Sequence, residues 1–133
     1  MRPRFFSWYM FGLHKHEGGS MAIEVDGGRT IDTDDEGYLV DPADWSEALA
    51  EEFARRDNLS LGPLHWQVMG YMRRYLEAHQ VAADARYVIR YLAEELGLGA
   101  QARARLFELF PYGYVRQACK IAGMRRPRAW STG

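Results

Sequence analysis

The stretch that decides the fold is "SLGPLHWQVMGYMRRYL", residues 60–76. Pro63 is placed to begin a helix, since the fixed φ of proline suits the first helical position. The apolar residues that follow recur at helical spacing and share one face: Trp66, Met69, Met72 and Leu76. We therefore predict a helix from Pro63 that turns this face towards the core.

Four more helices are predicted around this one. The first begins with Asp41 as N-cap and Pro42 as the first helical residue. Its apolar stripe has a spacing of four: Trp45, Leu49 and Phe53. After the central helix, another runs from about Asp84 to Gly97, and two shorter ones span about 100–109 and about 113–122. Gly123 and Pro127 then end the last helix and begin a tail.

The segment before the helices has the pattern of strands. Short apolar runs alternate with "DGG" and "DDEG", and Asp-Gly pairs supply the positive φ that tight hairpin turns require. A small hairpin is predicted at about 22–32, followed by an extended piece at 38–40. The predicted fold class is mainly α (α+β), with a small N-terminal β-hairpin, about five helices and a flexible C-terminal arm.

The 133 residues are enough for one domain but not for two independent cores. Residues 1–20 differ from the rest and are interpreted as an N-terminal extension. Met21 is expected to be the natural start; the alternatives are a genuine extension and a remnant of cloning. Residues 21–122 are predicted to form the helical domain and residues 123–133 the arm.

Charge is distributed unevenly along the chain. Residues 21–60 contain twelve acidic and three basic residues, whereas residues 101–133 contain seven basic and one acidic. The two regions can attract each other, remain solvated separately, or leave a cationic face for a partner. No apolar run approaches the length of a membrane helix, and no cleavage site follows the aromatic N-terminus.

The only cysteine is Cys119. One thiol excludes an internal disulfide or a cysteine-rich zinc site, and it favours a reducing, cytoplasmic setting. Arg116 lies three residues earlier and Lys120 is adjacent, so these cations are expected to stabilise the thiolate. The alternative is a buried cysteine that only fills space in the core.

No other set of residues predicts catalysis. The sequence contains neither a P-loop nor a GxGxxG motif, and no Ser-His-Asp arrangement is evident. His65 and His79 are isolated and are interpreted as structural. His14 and His16 supply only two ligands, so no metal site is predicted. The chain therefore has no independent catalytic constellation.

Three segments resemble one known family. "GRTIDTDDEGYLVDPADWSEALA", "LSLGPLHWQVMGYMRRYL" and "LFPYGYVRQACKIAGMRRP" are similar to the TusE/DsrC sulfur-relay proteins in order and spacing, from about Met21 to Pro127. The resemblance implies a cytoplasmic sulfur carrier with a small helical fold, an N-terminal hairpin and a C-terminal arm. It implies at most a sulfurtransferase-type activity, with no cofactor other than a transient cysteine persulfide.

The resemblance assigns roles to several residues. Cys119 matches the inner cysteine of the family, whereas Trp130 stands where members usually carry the arm cysteine that accepts sulfur. Cys119 is therefore the only possible acceptor, and an internal disulfide cannot release its sulfur. Arg116 and Lys120 are the expected supporting residues. The expected partner-binding residues of the arm are Arg125, Arg126 and Arg128.

The family implies protein partners from a tRNA-thiolation relay or from dissimilatory sulfite reductase. A second hypothesis is a regulatory or nucleic-acid- or protein-binding module that no longer transfers sulfur. Its cationic residues would contact phosphates: Arg116, Lys120, Arg125, Arg126 and Arg128. A third is a protein that occupies the docking site of a carrier without transferring sulfur.

Overall fold

The computed structural model describes residues 14–15, 21–24 and 29–127. Three short strands form an antiparallel sheet in the order β1 (His14–Lys15), β2 (Met21–Glu24) and β3 (Thr30–Thr33). Ile23 of β2 lies opposite Ile31 of β3, and both side chains are buried. The predicted hairpin is confirmed, and Leu39 in the predicted extended piece adds an isolated bridge to Thr33.

Helices make up most of the described chain, which confirms the mainly α fold class. They are α1 (Glu47–Arg56), α2 (Pro63–His79), α3 (Ala85–Arg90), α4 (Ala102–Leu109) and α5 (Cys119–Ile121). Two π-helical segments extend this set, Tyr91–Glu95 after α3 and Tyr114–Ala118 directly before α5. We call Tyr114–Ala118 together with α5 the Cys119 helix. Among the described residues, no helix has the length and apolar character needed to span a membrane.

The first predicted helix begins later than expected. Asp41 accepts a hydrogen bond from the N–H of Ala43, but it caps only a 3-10 turn, Pro42–Asp44. Trp45 is extended, and Ser46 caps the true start of α1 by accepting the N–H of Leu49 at 3.1 Å. The break follows from a tertiary contact, because the indole N–H of Trp45 donates a hydrogen bond to the carbonyl oxygen of Ile121 in the Cys119 helix.

The core lies between the sheet and the helices. Met69 and Met72 of α2 are fully buried, as predicted, and Trp66 and Leu76 pack against the same core. The Cys119 helix is also central, since Ala118, Cys119 and Ile121 are all buried. The only cysteine therefore belongs to the core of the domain.

Candidate functional site

Cys119 is the first residue of α5, and its thiol is free and buried. Burial raises the pKa of this thiol from its ordinary value near 9 to about 12, and a hydrogen bond with Tyr114 offsets only part of that rise. In this conformation the sulfur is therefore a neutral thiol at physiological pH. Such a group is a poor nucleophile, because the thiolate is the attacking form.

The π-helical segment sets what the thiol touches. The N–H of Cys119 donates to the carbonyl of Tyr114, five residues earlier, which brings these two residues one above the other. The Tyr114 hydroxyl donates to the carbonyl oxygen of Ala83 at 2.5 Å and also forms a hydrogen bond with Cys119. Tyr114 thus ties the thiol to the loop between α2 and α3, on the inner side of the site.

Tyr38 also lies near the thiol. It belongs to residues 34–40, which we call the strap. Its hydroxyl donates to the carbonyl oxygen of Val115 at 3.0 Å, and its side chain is buried. Burial raises the pKa of Tyr38 to about 12, with a further contribution from the nearby Cys119. Two buried tyrosines, Tyr114 and Tyr38, therefore lie near the sulfur.

The two supporting cations do not act as predicted. Arg116 is exposed, because the wider π-helical turn does not align residues three apart as an α-helix does. The Nζ atom of Lys120 lies 5.0 Å from the ring centroid of Tyr38 and belongs to the strap contact. The expectation that cations lower the thiol pKa is wrong, since desolvation raises the pKa of Cys119.

The base of the arm contacts the strap. Nε of Arg125 donates to the carbonyl oxygen of Val40 at 3.1 Å, and Nη1 of Arg126 lies 2.7 Å from Oε2 of Glu36. The cationic C-terminal region is thus drawn to the acidic region, one of the alternatives left open by the charge distribution. Both arginines are exposed, so these contacts are individually weak.

A second attachment holds the end of the Cys119 helix, and the sequence patterns did not indicate it. Nε1 of Trp45 donates to the carbonyl oxygen of Ile121 at 2.8 Å. Arg73 lies 4.6 Å above the Trp45 ring and donates through Nη1 to the carbonyl of Ala122 at 3.1 Å. Gly123 adopts a φ of +83° between these two side chains. The only signals in the sequence were Arg73 within α2 and the glycine that ends the last predicted helix.

A cavity of about 250 Å³ opens beside the strap. The strap, the end of α1 and the Cys119 helix enclose it. Its lining consists of Thr33, Asp34, Asp35, Glu36, Gly37, Phe53, Arg56, Asp57 and Lys120. Neither Tyr38 nor Cys119 is part of this lining, so in the described structure the cavity ends short of the thiol.

The remaining candidates are structural or lie outside the described part. His65 uses both ring nitrogens, as Nδ1 accepts the N–H of Gly62 at 3.0 Å and Nε2 lies 2.7 Å from the carbonyl oxygen of Leu109. Its structural interpretation is confirmed. Within the described residues, no group of three potential ligands is arranged to hold a metal ion. Outside them lie His16, Arg128, Trp130 and the side chain of His14.

The model of the family described as "DsrC like protein" matches residues 25–129 of the chain. The chain is 40% identical over 100 residues to "Sulfurtransferase TusE" of Sodalis glossinidius, covering 75% of this chain and 93% of that protein. It is 36% identical over 100 residues to the protein of that name from Escherichia coli K12, covering 75% and 92%.

Solved structures of similar fold include the NMR structure of Allochromatium vinosum DsrC. Its TM-score is 0.73 at 35% identity, covering 84% of this chain and 99% of that one. The crystal structure of the oxidized gamma-subunit of dissimilatory sulfite reductase (DsrC) from Archaeoglobus fulgidus gives 0.72 at 27% identity, covering 83% and 99%. These proteins share the helical fold that carries the buried thiol and its two tyrosines here.

Proposed function

Because the chain belongs to the DsrC-like family, we propose that it is a sulfur-relay protein in which Cys119 accepts sulfur from a donor persulfide. The observation that carries this proposal is the placement of its only thiol, directly after a π-helical turn and near Tyr114 and Tyr38. Such turns are rare and often occur at functional sites. The sulfurtransferases to which the chain is similar support the same role.

The chemistry requires only one nucleophile. The Cys119 thiolate attacks the outer sulfur of a donor persulfide, R–S–SH, so that a new S–S bond forms as the donor S–S bond breaks. The products are Cys119–S–SH and the donor thiolate, and no external oxidant or reductant is consumed. The proton that Cys119 loses first passes to solvent or to the departing thiolate.

Delivery of the sulfur to an acceptor protein uses the same reaction, with Cys119–S–SH now as the sulfur donor. A thiolate of the acceptor protein attacks the outer sulfur of Cys119–S–SH, which takes up the sulfur and returns the Cys119 thiolate. Since the chain has no second cysteine, the persulfide cannot be resolved as an internal disulfide. Each transfer must therefore take place within a complex in which the partner approaches a helix-bound thiol.

The proposed partners are proteins of a sulfur-relay system or dissimilatory sulfite reductase, in the cytoplasm. The nucleic-acid-binding alternative receives less support, because two of its five expected phosphate contacts are used within the chain. Arg126 is paired with Glu36, and Arg125 is bonded to the carbonyl of Val40. The exposed Arg116 remains available to either kind of partner.

Mass spectrometry of the intact protein tests the proposal. Fully reduced protein is incubated with a small-molecule persulfide, and the expected product carries one added sulfur atom on Cys119 that a reductant removes. Cys119→Ser is the control and should gain no mass. If the native protein at pH 8 to 9 also gains none, while a thiol peptide in the same tube is persulfidated, Cys119 is not a sulfur acceptor.

A further inference from the structure

The cavity beside the strap has firmly held walls. Leu39 of the strap is buried and forms the isolated bridge to Thr33, and the N–H of Val40 donates to the carbonyl oxygen of Asp32 at 3.2 Å. Phe53 of α1, which also lines the cavity, is buried in the core. The volume of about 250 Å³ equals that of about eight water molecules, since each occupies about 30 Å³. The cavity is therefore a standing recess of the folded chain, large enough for a small molecule.

One buried hydroxyl in this lining has no hydrogen-bond partner among the described residues. Thr33 is only 1% exposed, and no hydrogen bond reaches its Oγ1 atom. Leaving a buried hydroxyl without a hydrogen bond costs free energy, and such atoms are rare in native proteins. Burial alternates along β3, so the side chain of Thr33 faces inward with that of Ile31, whereas Thr30 is exposed. The Thr33 hydroxyl is therefore placed to bind a molecule that enters the cavity.

A cation lines the same cavity with its hydrogen-bonding capacity unused. The ammonium of Lys120 lies 5.0 Å from the ring centroid of Tyr38, and it forms no hydrogen bond or ion pair with the part of the chain that the structure describes. A Cβ at Gly37 would lie 3.6 Å from this Nζ atom, so the ammonium passes over the bare backbone of the glycine. Its three N–H donors are available to a carboxylate in the cavity.

The charges of the lining select the class of ligand. Two cations, Arg56 and Lys120, face four carboxylates: Asp34, Asp35, Glu36 and Asp57. A simple anion would be repelled by the carboxylates, and a simple cation by Arg56 and Lys120. Within residues 14–15, 21–24 and 29–127, no three carboxylates converge as ligands of a metal ion. A small molecule that carries one charge of each sign matches this lining best.

Most of the carboxylates already have partners. Asp34 accepts two backbone N–H groups, Glu36 pairs with an arginine of the arm, and Asp57 accepts a side-chain amide at 2.9 Å. Asp35 is exposed and forms no hydrogen bond or ion pair with any described residue. Asp35 and Lys120 thus provide one unused charge of each sign at the cavity.

We propose that the cavity beside the strap binds a small zwitterion of the α-amino-acid type. Lys120 receives its carboxylate, Asp35 receives its ammonium, and the Thr33 hydroxyl completes the site as a hydrogen-bond partner. The buried Phe53 ring offers the apolar contact for a short side chain. Because the cavity ends short of Cys119, the ligand is bound beside the thiol and is not itself the sulfur donor. The site therefore does not depend on the proposed function.

An NMR titration of the full chain with L-alanine at pH 7 tests the site. We expect saturable shifts of the amide signals of the strap and of Lys120, with a dissociation constant of about 1–10 mM for so small a ligand. N-acetyl-L-alanine keeps only the negative charge and L-alaninamide only the positive one. Each should bind about tenfold more weakly than L-alanine, because it loses one charge-assisted hydrogen bond.

The chain offers a matched pair of threonines on one strand. Thr33→Val keeps the size and shape of the side chain but removes the hydroxyl, and it should weaken L-alanine binding about three- to tenfold. Thr30→Val makes the same change on the exposed face of β3 and should leave binding unchanged. Lys120→Met removes the ammonium and should weaken binding about tenfold.

Three results would overturn the proposal. The first is the absence of any saturable shift up to about 100 mM L-alanine, which is the result expected if only water occupies the cavity. The second is equal binding of L-alanine by Thr33→Val and Thr30→Val. The third is binding of N-acetyl-L-alanine or L-alaninamide as tight as that of L-alanine. Persulfide loading of Cys119 without L-alanine binding rejects this site alone, whereas L-alanine binding without persulfide loading rejects the sulfur-relay function alone.

Discussion

Replacing Gly123 by alanine tests how the arm is attached to the domain. Gly123 has a φ of +83° and ends the Cys119 helix. A Cβ added there would lie 2.6 Å from Cγ of Trp45 and 2.7 Å from Nη1 of Arg73, closer than such atoms can approach. The same two side chains hold the helix end, because Trp45 is bonded to the carbonyl of Ile121.

Two costs add in the Gly123→Ala variant. The left-handed backbone conformation costs a residue with a Cβ about 1 kcal/mol. Relieving the overlap costs about 1–3 kcal/mol more, since Trp45 must move and its hydrogen bond and its contact with Arg73 are weakened. We therefore expect the free energy of unfolding to fall by about 2–4 kcal/mol, measured by urea denaturation followed by circular dichroism.

Gly97→Ala separates the two costs. Gly97 also has a positive φ, +74°, but a Cβ there would have no atom within 4 Å. This variant should lose only the backbone part, about 1 kcal/mol. Equal destabilisation by Gly97→Ala and Gly123→Ala, within about 0.5 kcal/mol, would refute the close packing of Trp45 and Arg73 on the helix end.

Two further predictions concern the thiol and the neighbouring Tyr114. Because burial holds the pKa of Cys119 at about 12, the native protein keeps a proton that the unfolded chain releases near pH 9. The free energy of unfolding of the native protein, relative to that of Cys119→Ala, should therefore fall above pH 9 by up to about 1.4 kcal/mol per pH unit. Urea titrations of both proteins at pH 8 to 10.5 measure this difference, and a difference that stays constant with pH would contradict the raised pKa. Tyr114→Phe should lower the free energy of unfolding by about 1–3 kcal/mol in the same assay, since the carbonyl of Ala83 loses a buried hydrogen-bond donor. A decrease below about 0.5 kcal/mol would show that this hydrogen bond contributes little to stability.

Local chemistry made much of the fold predictable. Pro63 and the apolar spacing after it mark α2, and the Asp-Gly pair between two short apolar runs predicts the hairpin. Such signals depend on neighbours in the chain rather than on distant contacts. The predicted start of the first helix was wrong because of a distant contact. Trp45 is extended rather than helical, and its indole donates to the carbonyl oxygen of Ile121, 76 positions away.

The chemical state of the candidate site was not predictable in the same way. Charge spacing placed Arg116 beside Cys119, but burial in the core raised the pKa of the thiol instead of lowering it. Local composition does not show this effect, because desolvation depends on what the rest of the chain packs around the sulfur. The role of Cys119 as a sulfur acceptor stays a prediction.

The sequence by itself determined the helical fold, the family and the position of the only thiol. The tertiary structure alone decided that this thiol is neutral and buried. The bond between Tyr38 and Val115 joins residues 77 positions apart, and Arg126 meets Glu36 only when the domain is folded. Local patterns encode helices and turns, whereas the solvation and accessibility of a sulfur atom are properties of the packed chain.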